Sequence, residues 1–149
     1  VPAGVFDAFG VTRVSTREAL FKDSDIVSLN SAKSSETDNL VDAGVLSLLP
    51  DWGVIVNTGR GNILNENDLV AQHVAGRLFS GLDVFAVEPI PPDHPLRDAP
   101  RCIVSTHQAG PTTDMYPEMG KRAMANILNF LDGRPLIDEI NADMLQRMT

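Results

Sequence analysis

The chain has 149 residues and a mass of 16.1 kDa, with 43% hydrophobic and 21% charged residues; this is the size and balance of one globular domain and excludes disorder as its organising state. Twelve Lys and Arg against twenty Asp and Glu give a net charge of −8, which disfavours a free-standing nucleic-acid-binding domain, and no apolar run approaches the ~18 residues of a membrane span. A single cysteine, Cys102, cannot form an internal disulfide; with no secretory pattern at the start of the sequence, a cytoplasmic protein is expected.

Short runs rich in Val and Ile, bounded by Gly, Asp, Asn and Pro, predict strands at Val11–Val14, Asp25–Leu29, Gly53–Asn57, Phe79–Val84 and Cys102–Thr106. Most are continuously apolar, which predicts strands covered on both faces. Helical periods fill the gaps. Ser15 and Glu18 have capping-box spacing for a helix over Thr16–Lys22. Leu40, Val41, Val45 and Leu48 form one stripe over Thr37–Leu49. Asn65 is placed to cap a helix carrying Leu69, Val70, His73 and Val74. A long helix over Asp114–Leu131 carries Met115, Met119, Ala123, Ile127, Leu128 and Leu131, and stops at Asp132-Gly133. The four prolines between Glu88 and Leu96 predict an ordered extended loop, and Leu136–Thr149 reads as a connector with a last short helix. Alternation of this kind predicts an α/β fold, a parallel sheet with flanking helices, in which ligands bind beyond the carboxyl ends of the strands.

The residues closing the strands are therefore the informative ones. Arg60 lies between Gly59 and Gly61, where the backbone can turn sharply and a guanidinium fork can meet a carboxylate. Glu88 and His107 follow two strands on the same side; a carboxylate beside an imidazole fixes its tautomer and suits it to acid–base work. Asp83 ends an apolar strand, where it needs a donor from an amide or a backbone N–H. His73, among apolar residues on a helix, reads as structural. His94 reads as a solvated loop side chain, and Cys102 as a small hydrophobe. The three histidines have no metal-ligand spacing, and no metal site is expected.

Five segments in order, Ser24–Leu29, Val56–Gly61, Leu82–Pro89, His94–Leu96 and Thr106–Thr112, resemble the D-isomer-specific 2-hydroxyacid dehydrogenases. The resemblance implies a Rossmann-like NAD-binding domain and hydride transfer between NAD(H), with NADP also compatible, and a small 2-oxo or 2-hydroxy acid. It implies that Arg60 holds the substrate carboxylate and carbonyl, that His107 is the acid/base and that Glu88 pairs with it. It also implies that Asn30, Thr58, Gly59, Asp83 and Gly110 line the cofactor, Asp83 at the nicotinamide carboxamide. Asn30 stands where the family usually has His.

The G-x-G-x-x-G turn that cradles a dinucleotide pyrophosphate has no counterpart in these residues. By the resemblance, Val11–Val14 would be strand 3 and Ile26–Leu29 strand 4 of the six-stranded order, with strands 1 and 2 and the substrate domain outside this sequence. The expected organisation is thus a partial NAD-binding domain over residues 1–135 and a connector over 136–149. The chain is expected to be a fragment with little activity alone, partnered by a second copy or by the rest of the domain. A crossover that docks strand 3 directly on strand 4 is the other way to satisfy the sheet. A non-catalytic binding module and a truncated pseudoenzyme are the rival functions.

Overall fold

The structure is a computed structural model in which residues 3–145 are described. The elements run α1 (Ala3–Ala8), α2 (Arg17–Lys22), β1 (Ile26–Leu29), α3 (Ala43–Leu46), β2 (Val54–Asn57), α4 (Glu66–Val74), β3 (Phe79–Leu82), β4 (Cys102–Val104), α5 (Tyr116–Leu131) and α6 (Ala142–Leu145). The four strands form one parallel sheet in the order β1-β2-β3-β4, the Rossmann-like α/β arrangement expected. Register aligns Leu29 with Asn57, Asn57 with Leu82, and Leu82 with Val104. All four carboxyl ends therefore open on one edge, and the residues that follow them, Asn30, Thr58, Asp83 and Ser105, stand in a row.

One face of the sheet is packed. Val27, Leu29, Ile55 and Leu82 point into a core with Phe21, Val45, Leu46, Leu49, Ile63 and Leu69 from the helices and turns. Burial of this apolar surface is the main driving force of the fold. The opposite face is open: β1 alternates exposed and buried residues, Ile26 is 65% exposed and Ile103 76% exposed. The expectation of two covered faces therefore fails for the described residues. An apolar run tells of two apolar faces, but covering both takes a second layer of helices. α5 has the required apolar stripe, yet none of its residues is buried. It is docked instead by the tail, where Asn126 exchanges two hydrogen bonds with the Ile137 backbone.

Val11–Val14 is not a strand. It runs without regular structure, Val11 and Val14 are exposed, and the crossover pairing onto β1 does not form. Four residues of β-propensity make a strand only against a partner. Within the described residues β1 is accordingly an edge of the sheet.

The helix expected over Thr37–Leu49 shrinks to α3. Asn39 has a positive φ of 51°, and Val41 is drawn into a parallel bridge with Leu64, so pairing overrides the helical stripe. Asp42 then caps α3, accepting from the Val45 N–H at 3.1 Å. Thr16, rather than Ser15, caps α2 by accepting from the Ala19 N–H. Asn65 caps α4 as expected, and Gly133 ends α5 at φ 66°.

His73 is buried, as its pattern implied. Its Nδ1 is 3.1 Å from the Pro100 carbonyl and so donates to it, and its Nε2 is 2.8 Å from the Ser80 hydroxyl, which lies 3.1 Å from the Cys102 thiol. Burial pushes the imidazole below its ordinary value of 6.5 and Arg101 adds to this, against the opposing Pro100 bond. The unfolded chain therefore takes up a proton near 6.5 that the folded chain refuses. Stability that is full above about pH 6.5 falls as the pH drops below it. In urea unfolding between pH 8 and 5, His73→Gln should remove that part of the slope; an unchanged slope would contradict the assignment.

Candidate active site

The site is built from three turns at the strand ends. The first follows β2. Buried Asn57 folds it: the side-chain amide donates to the Arg60 carbonyl at 3.1 Å, and its oxygen accepts from the Gly59 N–H at 3.2 Å. This is the Asx latch by which Asn closes a tight turn. Gly59 packs closely on the end of β1: an added Cβ would lie 3.1 Å from the Leu29 carbonyl and 3.3 Å from that of Ser31. Asn30, Thr58 and Gly59 thus meet where β1 and β2 end. Asn30 is exposed and turns its amide back to Ser28. Arg60 is half-buried, and its Nη1 donates to the Gly59 carbonyl at 2.8 Å.

The second turn follows β3 and carries Glu88. Gly61 ties it to the first: a Cβ on Gly61 would fall 1.9 Å from the Phe85 carbonyl carbon and 2.3 Å from the Ala86 nitrogen. The Arg60 turn and the Glu88 loop are therefore in backbone contact. The Glu88–Pro89 peptide is cis, and Pro95–Arg97 forms a short 3-10 turn. The proline-rich segment is bent rather than extended: it turns at Pro92–Asp93, where the His94 N–H donates to the Pro91 carbonyl at 3.1 Å, and winds into the 3-10 turn.

The third turn follows β4 and carries His107, whose φ is 56°. A non-glycine residue in this region is held there by its surroundings. Here the holder is Asp83. The His107 N–H donates to the Asp83 carbonyl at 2.8 Å. The Asp83 carboxylate accepts from the Ser105 hydroxyl at 2.5 Å, the Gln108 N–H at 2.9 Å and the Ala109 N–H at 2.7 Å. Burial pushes Asp83 up, but those three donors and the nearby His107 outweigh it and keep the carboxyl below the usual range. Asp83 is thus first the clamp of the His107 turn.

His107 Nδ1 lies 2.6 Å from Glu88 Oε2, and Glu88 Oε1 accepts from the Phe85 N–H at 2.9 Å. Burial raises Glu88, but the Phe85 and His107 bonds overcome it, and the carboxyl is held below its usual value. An ionised carboxylate only accepts, so Nδ1 carries the proton and Nε2 is the nitrogen available to a ligand. Asp83, Glu88 and His107 line one side of a cavity of about 410 Å³, with Phe85, Ile90 and Arg97 among its other walls. Gly110 stands apart from this cluster, exposed and with nothing within 4 Å of an added Cβ.

Asn57 and Ser105 were not singled out from the sequence. Asn57 carried a signal, an Asn between a Val-Ile-Val run and a Gly-rich turn. Ser105 carried none, since its role depends on β3 and β4 being neighbours. His94 departs from its reading as solvated: it pairs with Glu66 at 3.1 Å. Among the described residues no group of three ligating side chains could hold a metal ion, and no helix is long and apolar enough to cross a membrane.

A dinucleotide's nicotinamide end is compatible with this edge. Asp83 lines the cavity and uses three of its roughly four acceptor positions, leaving one for an amide. The chain is 31% identical over 130 residues to the glyoxylate reductase of Aeropyrum pernix, across 87% of this chain and 39% of that one. It superposes on the apo D-mandelate dehydrogenase of Rhodotorula graminis with a TM-score of 0.85 and 30% identity, over 95% of this chain and 41% of that one. It also superposes on the Xanthobacter autotrophicus Py2 D-isomer specific 2-hydroxyacid dehydrogenase in complex with NADPH, with a TM-score of 0.74 and 27% identity, over 83% and 51%. The chain thus spans about two-fifths of the length of the curated relative it matches. Residues 2–109 match the model of the NAD binding domain of the D-isomer specific 2-hydroxyacid dehydrogenases, and the chain belongs to that family.

Proposed function

We propose that this chain supplies the catalytic edge of an NAD-dependent reductase of 2-oxo acids to D-2-hydroxy acids. Members of its family are NAD-dependent oxidoreductases of hydroxy acids. The observation that carries the reading is the 2.6 Å contact of His107 with Glu88 on a backbone clamped by Asp83. When bound, the nicotinamide supplies the hydride. The chain's own residues do the rest. His107 gives the proton on Nε2 to the oxygen that becomes the hydroxyl, and Glu88 holds the ring and stabilises its cationic form. Arg60, on a turn fixed by Asn57 and Gly61, meets the substrate carboxylate. Asn30, Thr58, Gly59, Asp83 and Gly110 form the cofactor's lining. The domain ends near Pro135, residues 136–149 are a connector, and assembly is a dimer formed through this domain.

The glycine-rich pyrophosphate turn is not among these residues, so binding by the isolated chain is expected to be weak. Calorimetric titration of the 149-residue chain with NADH should show a Kd above the micromolar range; micromolar affinity would contradict this. The function itself is tested in a polypeptide that joins this domain to that turn and to a substrate domain. Oxidation of NADH or NADPH with at least one of a panel of 2-oxo acids supports it. No turnover across the panel overturns it and favours a binding module.

A further inference from the structure

Glu66 opens α4, but its carboxylate serves another segment. Oε1 accepts from the Ala86 N–H at 2.7 Å, and Oε2 lies 3.1 Å from His94 Nε2. His94 Nδ1 accepts from the Leu96 N–H at 3.3 Å, so the ring proton sits on Nε2 and points to Glu66. One carboxylate therefore grips the Glu88 loop at both ends, Ala86 and His94. The two side chains are 15% and 19% exposed, against 35% and 49% for Glu88 and His107. Ala86 is also the residue whose nitrogen backs onto Gly61, and its neighbour Phe85 donates the N–H that orients Glu88. The Phe85 ring meets His94 edge-on at 6.2 Å.

We propose that Glu66 and His94 are positioning residues, a second carboxylate–imidazole pair that sets the Glu88 loop so that Glu88 reaches His107. Its catalytic consequence rests on the reading of Glu88 and His107 as the acid–base pair; its geometric consequence does not. Without the grip, the Phe85 N–H and His107 both drift from Glu88, and the carboxyl returns toward its ordinary value of 4.5.

The test is a carbon-13 NMR titration of the Glu88 carboxyl, assigned by its loss in Glu88→Gln, in the chain and in Glu66→Ala, His94→Ala and Val70→Ala. Electrostatics alone gives the opposite sign: removing the Glu66 anion would make Glu88 easier to ionise and lower its midpoint. Positioning predicts a rise toward 4.5 in Glu66→Ala and His94→Ala, and no shift in Val70→Ala, which trims a half-buried apolar side chain of the same helix and leaves both Glu66 hydrogen bonds in place. If Glu66→Ala does not fold, His94→Ala decides. A midpoint that falls or stays in the folded variants, or that is not lowered in the parent chain, overturns the proposal. In the reductase assay, both loop variants should lose about tenfold in kcat with KM changed less than about twofold. A parent protein that reduces no 2-oxo acid would sink the catalytic reading, while the titration still decides the positioning.

Discussion

In the full-length protein proposed above to be a reductase, turnover should fall by about 10²–10⁴-fold when His107 is replaced by Ala, the usual contribution of a positioned general acid. The size follows from how completely the structure commits this residue. Its backbone is held at a φ of 56° by the Asp83 clamp, and its Nδ1 is bound to Glu88 at 2.6 Å, which leaves Nε2 as the one nitrogen for the substrate. Glu88→Gln is expected to lose less, because the amide oxygen can still accept from Nδ1 but no longer carries the charge that favours the protonated ring. NADH binding measured in parallel should be nearly unchanged in both variants. Equal losses in binding and in kcat would point to a collapsed turn rather than a missing proton donor.

The largest structural effect is expected at Gly61. A methyl group there would overlap the backbone of Phe85 and Ala86 at 1.9–2.3 Å, and no rotamer change can relieve a backbone clash. Gly61→Ala should therefore cost on the order of 3 kcal/mol, read as a fall in Tm of about 10 °C for a domain of this size, and should move the Arg60 turn away from the Glu88 loop. Gly120→Ala is the matched control: nothing lies within 4 Å of its Cβ, and in the middle of α5 alanine is the better helix former, so its Tm should hold or rise slightly. Equal Tm values for the two variants would show that the close contact at Gly61 is not maintained in solution.

Much of this was legible in the sequence, for a physical reason. The runs at Ile26, Val54 and Cys102 are short, β-branched and bounded by breakers, and the run at Phe79, though it holds no β-branched residue, is bounded in the same way, so local pattern and tertiary pairing agree. Glu88 and His107 were legible as partners because parallel strands bring every carboxyl end to one edge. Val11–Val14 misleads because local propensity is not pairing, and Thr37–Leu49 because Val41 gains more from bridging Leu64 than from extending a helix. Asp83 shows the other limit. Its position at a strand end marked it as needing a donor, but that it clamps the His107 turn through Ser105, Gln108 and Ala109 depends on which strands are neighbours. The Glu66–His94 pair, 28 residues apart, was hidden for the same reason: α4 and the loop meet only once the sheet has formed.

On the reading proposed above, His107, held by Glu88, protonates the carbonyl oxygen of a 2-oxo acid oriented so that one defined face of its C2 receives the hydride. Chiral analysis of the product formed from NADH and the best 2-oxo acid of the panel tests it most directly. The D-2-hydroxy acid as the sole product, with its formation suppressed in His107→Ala, is the predicted result; an L-product, a racemic mixture, or formation undiminished in His107→Ala would contradict it.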